Sequence, residues 1–244
     1  MLDHIIPEDL LFLDIETVPQ ISSYHEMDEV SKKLWDKKAQ FLIKEGQSPE
    51  DIFQRSGIYS EFGKIICISV GHLYGQEGKT CLRIKSLYGD DEKQILIEFR
   101  EMLIKYEEIK DFSLCAHNGK EFDFPYISRR MLVNFVELPL QFDSAGKKPW
   151  EIKHVDTMEL WKFGDYKNYT SLEVLTHIFN IPTPKGDIDG SQVAGVYYID
   201  KDMERIVKYC EKDVIAIVQL ILNFKGRNVI PDENIEIISN LKNS

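Results

Sequence analysis

The segment LLFLDIET, residues 10–17, constrains the fold more than any other part of the chain. Four consecutive apolar residues leave no polar side to face water, so the segment reads as a strand covered on both faces. Asp14 and Glu16 stand at its exit. Side chains two apart on a strand point to the same face, so both carboxylates can enter one site. Burying them unpaired would cost several kcal/mol each. The strand therefore predicts a neutralising partner as well as a sheet.

The rest of the chain alternates strand-like and helix-like patterns. Residues 24–46, with apolar Met27, Val30, Leu34, Phe41 and Leu42, read as an amphipathic helix in a peripheral insertion, with a second short helix after Ser48-Pro49. The β-rich runs 64–75 and 80–89 are separated by QEGK, the mark of a hairpin. A helix is expected from Asp90-Asp91 to about Lys110, then a buried strand over 112–118 and a helix from about Glu121 to Val133. Residues 134–156 read as a long connection, Ser171–Asn180 as a helix, and Asp200 to about Phe224 as the last long helix. This order predicts an α/β fold, a mixed sheet with helices packed against it, in one domain without a flexible linker.

The chain has 244 residues, with 41 acidic against 30 basic side chains and a net charge of −11. Such a balance speaks against a basic nucleic-acid groove. The excess is uneven: residues 1–60 carry 12 acids and 6 bases, a net of −6, more than half the total. Cys67, Cys81, Cys115 and Cys210 form no C-x-x-C pair and read as reduced core residues, not a zinc site. With acids where a signal peptide needs basic residues, and no apolar run of membrane-spanning length, the expectation is a cytoplasmic protein with no membrane partner.

Three pieces carry the chemistry: Asp14-Ile-Glu16, Asn118-x-x-x-Phe122-Asp123 and Tyr209-x-x-x-Asp213. Spacing alone proves little, since D-x-E occurs three times and Y-x-x-x-D three times. Context separates them. Only Asp14 and Glu16 follow an apolar strand, whereas Asp90 and Asp202 read as helix N-caps. Tyr209 and Asp213 are one helical turn apart on one face. The Asn118 motif occurs once. Four gathered carboxylates repel one another unless divalent cations neutralise them, and hard oxygen ligands suit two Mg2+ or Mn2+ ions clamping a phosphodiester. A tyrosine beside them can orient, or help deprotonate, the attacking water.

The three motifs, in this order, resemble the DEDD superfamily of 3′–5′ exonucleases, in its tyrosine subclass because Tyr209 lies four before Asp213. HNGKEFDFPYISRR and SEFGKIICISVG are similar to segments of the proofreading domain of B-family DNA polymerases, and the best match is the stand-alone predicted exonucleases related to that domain. The resemblance implies a ribonuclease H-like mixed sheet flanked by helices, with a helical insertion after the first strand. Residues 1–244 would form a single exonuclease domain, with a core over about 8–224, the insertion at 20–60 and a C-terminal extension at 225–244. It implies that Asp14, Glu16 and Asp213 hold the ion that activates water, that Asp14 bridges to a second ion held by Asp123, and that Tyr209 orients the nucleophile. Thr17, Asn118 and Phe122 would position the 3′-terminal nucleotides. The expected substrate is a single-stranded DNA 3′ end, with nucleoside 5′-monophosphates as products and a separate polymerase or repair enzyme as a partner. A ribonuclease D-type exoribonuclease and a weakly active nucleic-acid-binding or polymerase-accessory module are the alternatives. Two divalent ions would offset four of the acidic charges, which removes the objection from net charge.

Weaker signals surround these motifs. Arg129, Arg130, Lys120, Lys147, Lys148, Lys153 and Lys167 are candidate phosphate contacts, most of them better read as solvated surface. Tyr166, Tyr169 and His154 can lie near substrate, GDIDGS (186–191) reads as a turn, and Trp35, Trp150 and Trp161 read as packing residues.

Overall fold

A computed structural model describes residues 2–108, 111–165, 167, 169–182 and 188–238. The strands are β1 (Leu10–Pro19), β2 (Gly63–Gln76), β3 (Lys79–Tyr88), β4 (Ser113–Ala116), β5 (Val155–Asp156) and β6 (Ile235–Ile238). The helices are α1 (Glu29–Ala39), α2 (Glu92–Glu107), α3 (Asp123–Val133), α4 (Thr157–Lys162), α5 (Leu172–Ile178), α6 (Val193–Gly195) and α7 (Met203–Phe224). Six strands make one mixed sheet in the order β5-β4-β1-β2-β3-β6. β2 runs antiparallel to β1 and β3, and the other three pairings are parallel.

β1 is covered on both sides, as its composition predicts. Leu11, Leu13 and Ile15 join Ile95, Leu96 and Phe99 of α2 and Ile127 and Met131 of α3 on one face. Leu10 and Phe12 face Val214, Ile217, Val218 and Ile221 of α7 on the other. Fully burying one such side chain contributes roughly 1.5–3 kcal/mol, so this double cover fixes which face of β1 meets α7. α7 is apolar on a second side as well, because Leu220 packs on Leu175 of α5 and on Ile181. The hairpin turn between β2 and β3 places Glu77 at φ 50° and Gly78 at φ 78°. Two positive φ values across a two-residue loop match the strand twist, and the second falls on the residue that accepts it without strain.

Several boundaries differ from the sequence reading. The insertion helix spans Glu29–Ala39 rather than 24–46, because the Asp28 carboxylate accepts the amides of Val30 and Ser31 and starts the helix there. Val30 and Leu34, expected on its buried stripe, are 68% and 55% exposed; Trp35 and Ala39 fill the local core instead, and Trp35 Nε1 donates to the Pro49 carbonyl at 2.9 Å. Asp91, not Asp90, caps α2; Asp90 accepts the Tyr197 hydroxyl at 2.6 Å. The connection over 134–156 ends in β5, and Asp156 caps α4. A π-helical turn, Val196–Asp200, precedes α7, which begins at Met203 behind its cap Asp202. Residues placed in a C-terminal extension supply β6, which pairs with β3. Among the described residues no helix is long and apolar enough to cross a membrane, and all four cysteines are buried and free.

Candidate active site

The carboxylates meet where β1 runs past the end of its neighbour. The β1–β4 ladder stops at Phe12–Cys115, so beyond it, among the described residues, no strand lies beside the β1 edge. α3 begins in that gap, and the carboxylate of its first residue, Asp123, accepts the Ile15 amide and its own. Asp14 and Glu16 stand opposite Ser69 and Cys67 of β2, on the face that α7 covers. Just beyond, Glu16 and Thr17 flank a register shift that skips Ile66, a bulge of the kind that re-aims side chains beside functional sites. From α7, Tyr209 donates its hydroxyl to Asp213 one turn on, as their spacing requires. The structure thus brings Asp14, Glu16, Asp123, Tyr209 and Asp213 together.

Their electrostatics show what the cluster lacks. Burial, followed by the charges of Asp213, Asp123 and Glu16, pushes the Asp14 pKa well above the ordinary range. Burial, then Asp213, raises Glu16 in the same way. Burial raises Asp123 to about 7, against the pull of its amide hydrogen bonds. Asp213 rises to about 6 for the same first reason, held down by the Tyr209 hydroxyl and by Lys212. Burial and Asp213 drive the Tyr209 hydroxyl far upward. Glu16 is only 7% exposed, and among the described residues no hydrogen-bond donor reaches it and no cationic side chain acts on it. A carboxylate this deeply set among like charges fits a ligand that supplies positive charge.

The expected nucleotide-positioning residues lie toward α3. Thr17 shares the opposite face of β1, and its hydroxyl meets that of Tyr126, which donates to the Gly57 carbonyl at 2.7 Å. Phe122 is half-buried, 5.4 Å from the Tyr126 ring between centroids. Asn118 makes the turn, at φ 61°, where its carbonyl accepts the amides of Glu121 and Phe122. Its own amide donates to Asp156 at 3.0 Å.

Comparison with known proteins matches residues 58–232 to the family described as predicted 3′–5′ exonucleases related to the exonuclease domain of PolB. The chain belongs to this family. The matched span contains Asn118, Phe122, Asp123, Tyr209 and Asp213, while Asp14 and Glu16 precede it. Over 188 residues the exonuclease-family chain is 24% identical to a DNA polymerase of Pyrococcus glycovorans, covering 70% of this chain and 23% of that protein. Its fold is similar to that of the family B DNA polymerase from Pyrobaculum calidifontis, with a TM-score of 0.53 at 16% identity, over 90% of this chain and 24% of the other. The chain therefore spans about a quarter of the length of these polymerases.

Two residues of this exonuclease-family site were missing from the sequence reading. Asp156 is buried and accepts the amides of Asn118, Lys120, Met158 and Glu159, fastening the Asn118 turn to the start of α4. The Asp156-x-x-Glu159 spacing, a helix-capping pattern, was its signal. Cys210 is fully buried beneath the carboxylates and donates its thiol to the Asp14 carbonyl at 3.3 Å. Its position three before Asp213 on the same helix was the available clue.

The weaker candidates fare differently. Arg130 is not a phosphate contact: it is 5% exposed and forms a fork with Glu92, Nε to Oε1 at 2.9 Å and the second nitrogen to Oε2 at 2.6 Å. Lys120 pairs with Glu159, and Arg129, Lys147, Lys148, Lys153 and Lys167 lie exposed. The His154 ring packs on Phe124 and shares a hydrogen bond with the Gln141 carbonyl, and Tyr169 stacks under Lys162. Trp150, expected to pack, is 77% exposed, whereas Trp35 and Trp161 do pack. Tyr166 and the start of the GDIDGS turn lie outside the described residues. A cavity of 930 Å3 opens around His4, Ser113, Gln141 and His154, and none of the four carboxylates lines it.

Proposed function

We propose that the protein is a metal-dependent 3′–5′ exonuclease that removes nucleoside 5′-monophosphates from single-stranded DNA. The observation that carries this reading is Glu16, a buried carboxylate that among the described residues has no donor and no cation, beside three others whose pKa values are all raised. Such a donor set fits hard divalent cations, since all four ligands offer oxygen and a cation converts their repulsion into attraction. Asp14, Glu16 and Asp213 would hold one Mg2+ or Mn2+, with Asp14 shared toward a second held by Asp123. Together the two ions would supply activation of water and neutralisation of charge on the scissile phosphate.

The remaining work falls to the protein's own side chains. Burial and the Asp213 charge push the Tyr209 pKa upward, so its hydroxyl serves as a donor that orients the Asp213 carboxylate and the incoming water. Water adds to phosphorus, the bond to the neighbouring 3′ oxygen breaks, and a proton returns to that oxygen. Phe122 offers a ring at the α3 start for the terminal base, with Asn118 and Thr17 beside the sugar and phosphate. The acidic surface leaves end recognition and metals, not a basic groove, to hold the strand.

The test is direct. Single-stranded DNA labelled at its 5′ end, incubated with Mg2+ or Mn2+, should give a ladder of shortened products that Asp14→Ala does not make. A wild-type protein without a ladder, or a variant with the same one, overturns the reading. Competition between matched DNA and RNA strands assigns the sugar.

A further inference from the structure

A cluster of oxygen ligands has one soft neighbour. One carboxylate oxygen each from Asp14 and Glu16 and the Sγ of Cys210 all lie within 4.8 Å of one another. Around zinc, with Zn–S near 2.3 Å and Zn–O near 2.0 Å, tetrahedral ligand atoms sit about 3.5 Å apart, so the three need close by no more than about 1.3 Å. Glu16 points into this triangle buried and without a donor among the described residues. Cys210 has the opposite character: its thiol makes weak contacts, to the Asp14 carbonyl at 3.3 Å, to the Asp14 carboxylate and to the thiol of Cys67.

We propose that Asp14, Glu16 and Cys210 form a site for a thiophilic divalent cation, Zn2+ or Cd2+, which competes with the hard activating ion for the same two carboxylates and stops hydrolysis. The inhibitory half rests on the exonuclease reading; the metal site does not. Selectivity follows from ligand softness. Mg2+ gains little from sulfur, so beside a hard ion the thiol keeps its proton and stays uninvolved. Zn2+ and Cd2+ bind thiolate strongly enough to displace that proton: the S–H bond breaks, the metal–sulfur bond forms, and one proton passes to water. Asp14, turned to the third ligand, is then no longer available to bridge two hard ions.

The metal-free protein is titrated with Cd2+ while the ultraviolet thiolate-to-cadmium charge-transfer band is recorded, in wild type, Cys210→Ser and Cys67→Ser. The band should grow to one equivalent in wild type and in Cys67→Ser, be absent in Cys210→Ser, and recede under a large excess of Mg2+ as the shared carboxylates are reclaimed. No band in wild type, or a band that survives Cys210→Ser, overturns the site. Should Cys210→Ser fail to fold, Glu16→Gln takes its place: it keeps the thiol, and its Cd2+ affinity should fall at least about tenfold. Unchanged affinity in Glu16→Gln refutes a shared site. For the inhibitory half, each protein's hydrolysis is scaled to its own rate in Mn2+ alone. Cys210→Ser should tolerate at least about tenfold more Zn2+ than wild type. Equal sensitivity refutes the competition. If no protein hydrolyses DNA, the exonuclease reading falls, and the cadmium band still decides the metal site.

Discussion

Asp123→Asn should make the metal-free protein more stable at pH 8 and leave it unchanged near pH 4. The Asp123 pKa stands at about 7 against an ordinary 3.8. The shift of about 3 units, at about 1.4 kcal/mol per unit, corresponds to about 4 kcal/mol. Its sign follows from proton counting. Below pH 4 folded and unfolded chains both hold the proton, and the group has no effect. Between pH 4 and 7 the unfolded chain has released a proton that the folded chain retains, so stability falls as pH rises, and above 7 the full penalty is present. Asparagine is neutral throughout, and its side-chain oxygen can still accept the Ile15 amide that Asp123 accepts. For a chain of this size, roughly 2–4 °C per kcal/mol turns the gain into a rise of roughly 8–16 °C in Tm at pH 8. Circular dichroism melts in EDTA across pH 4–8 measure it. Asp213 raises Asp123, and Asp123 raises Asp14 and Glu16, so the difference between the two proteins reports the Asp123 charge together with its repulsion of these neighbours. Adding Mn2+, which binds the folded state alone, should lift wild type more than the variant and close the gap. No gain at pH 8, or an equal gain at pH 4, would refute the account of the site as a charge-strained cluster awaiting cations.

Two further substitutions probe other parts of the structure. Tyr209→Phe should slow hydrolysis about 10²-fold while Mn2+ binding, followed by calorimetry, is retained; unchanged turnover removes the hydroxyl from the reaction. Arg130→Met strands the buried Glu92 carboxylate, which also accepts the Ile65 amide and the Asn134 side chain, and should lower the unfolding free energy in urea by about 3–5 kcal/mol. A near-neutral stability effect with slowed hydrolysis would return Arg130 to the phosphate-binding role that its burial argues against.

What the sequence made legible was whatever a short window of residues determines. Asp14 and Glu16 could be set on one face because a strand's period is two, and Tyr209 with Asp213 because a helix returns every fourth residue. The burial of β1 followed from its unbroken apolar run. What stayed hidden depends on distant partners. Glu92 and Arg130 are 38 residues apart, and nothing local distinguishes a buried fork from two surface charges. Asp156 serves a turn 36 to 38 residues earlier. β5 has two residues and β6 has four, too few for periodicity to register. In the insertion, Val30 and Leu34 fit an apolar stripe as well as Trp35 does, but Trp35 has the local aromatic partners, Phe53, Tyr59 and Phe62, that bury it.

The pairing of Ile235–Ile238 with Leu82–Lys85 bears on where this chain can safely be cut. Family similarity ends at residue 232, and the long helix ends at Phe224, so either boundary invites a shorter version for expression. Both cuts would remove β6 and leave β3 with a row of unpaired amides and carbonyls on the outer side of the sheet. A bare strand of that kind is a template for other chains. A truncation after residue 232 should therefore keep its carboxylates in place yet self-associate, seen as a higher mass in light scattering at concentrations where the full chain shows none. A monodisperse truncated protein of full solubility would show that β6 does not guard that edge.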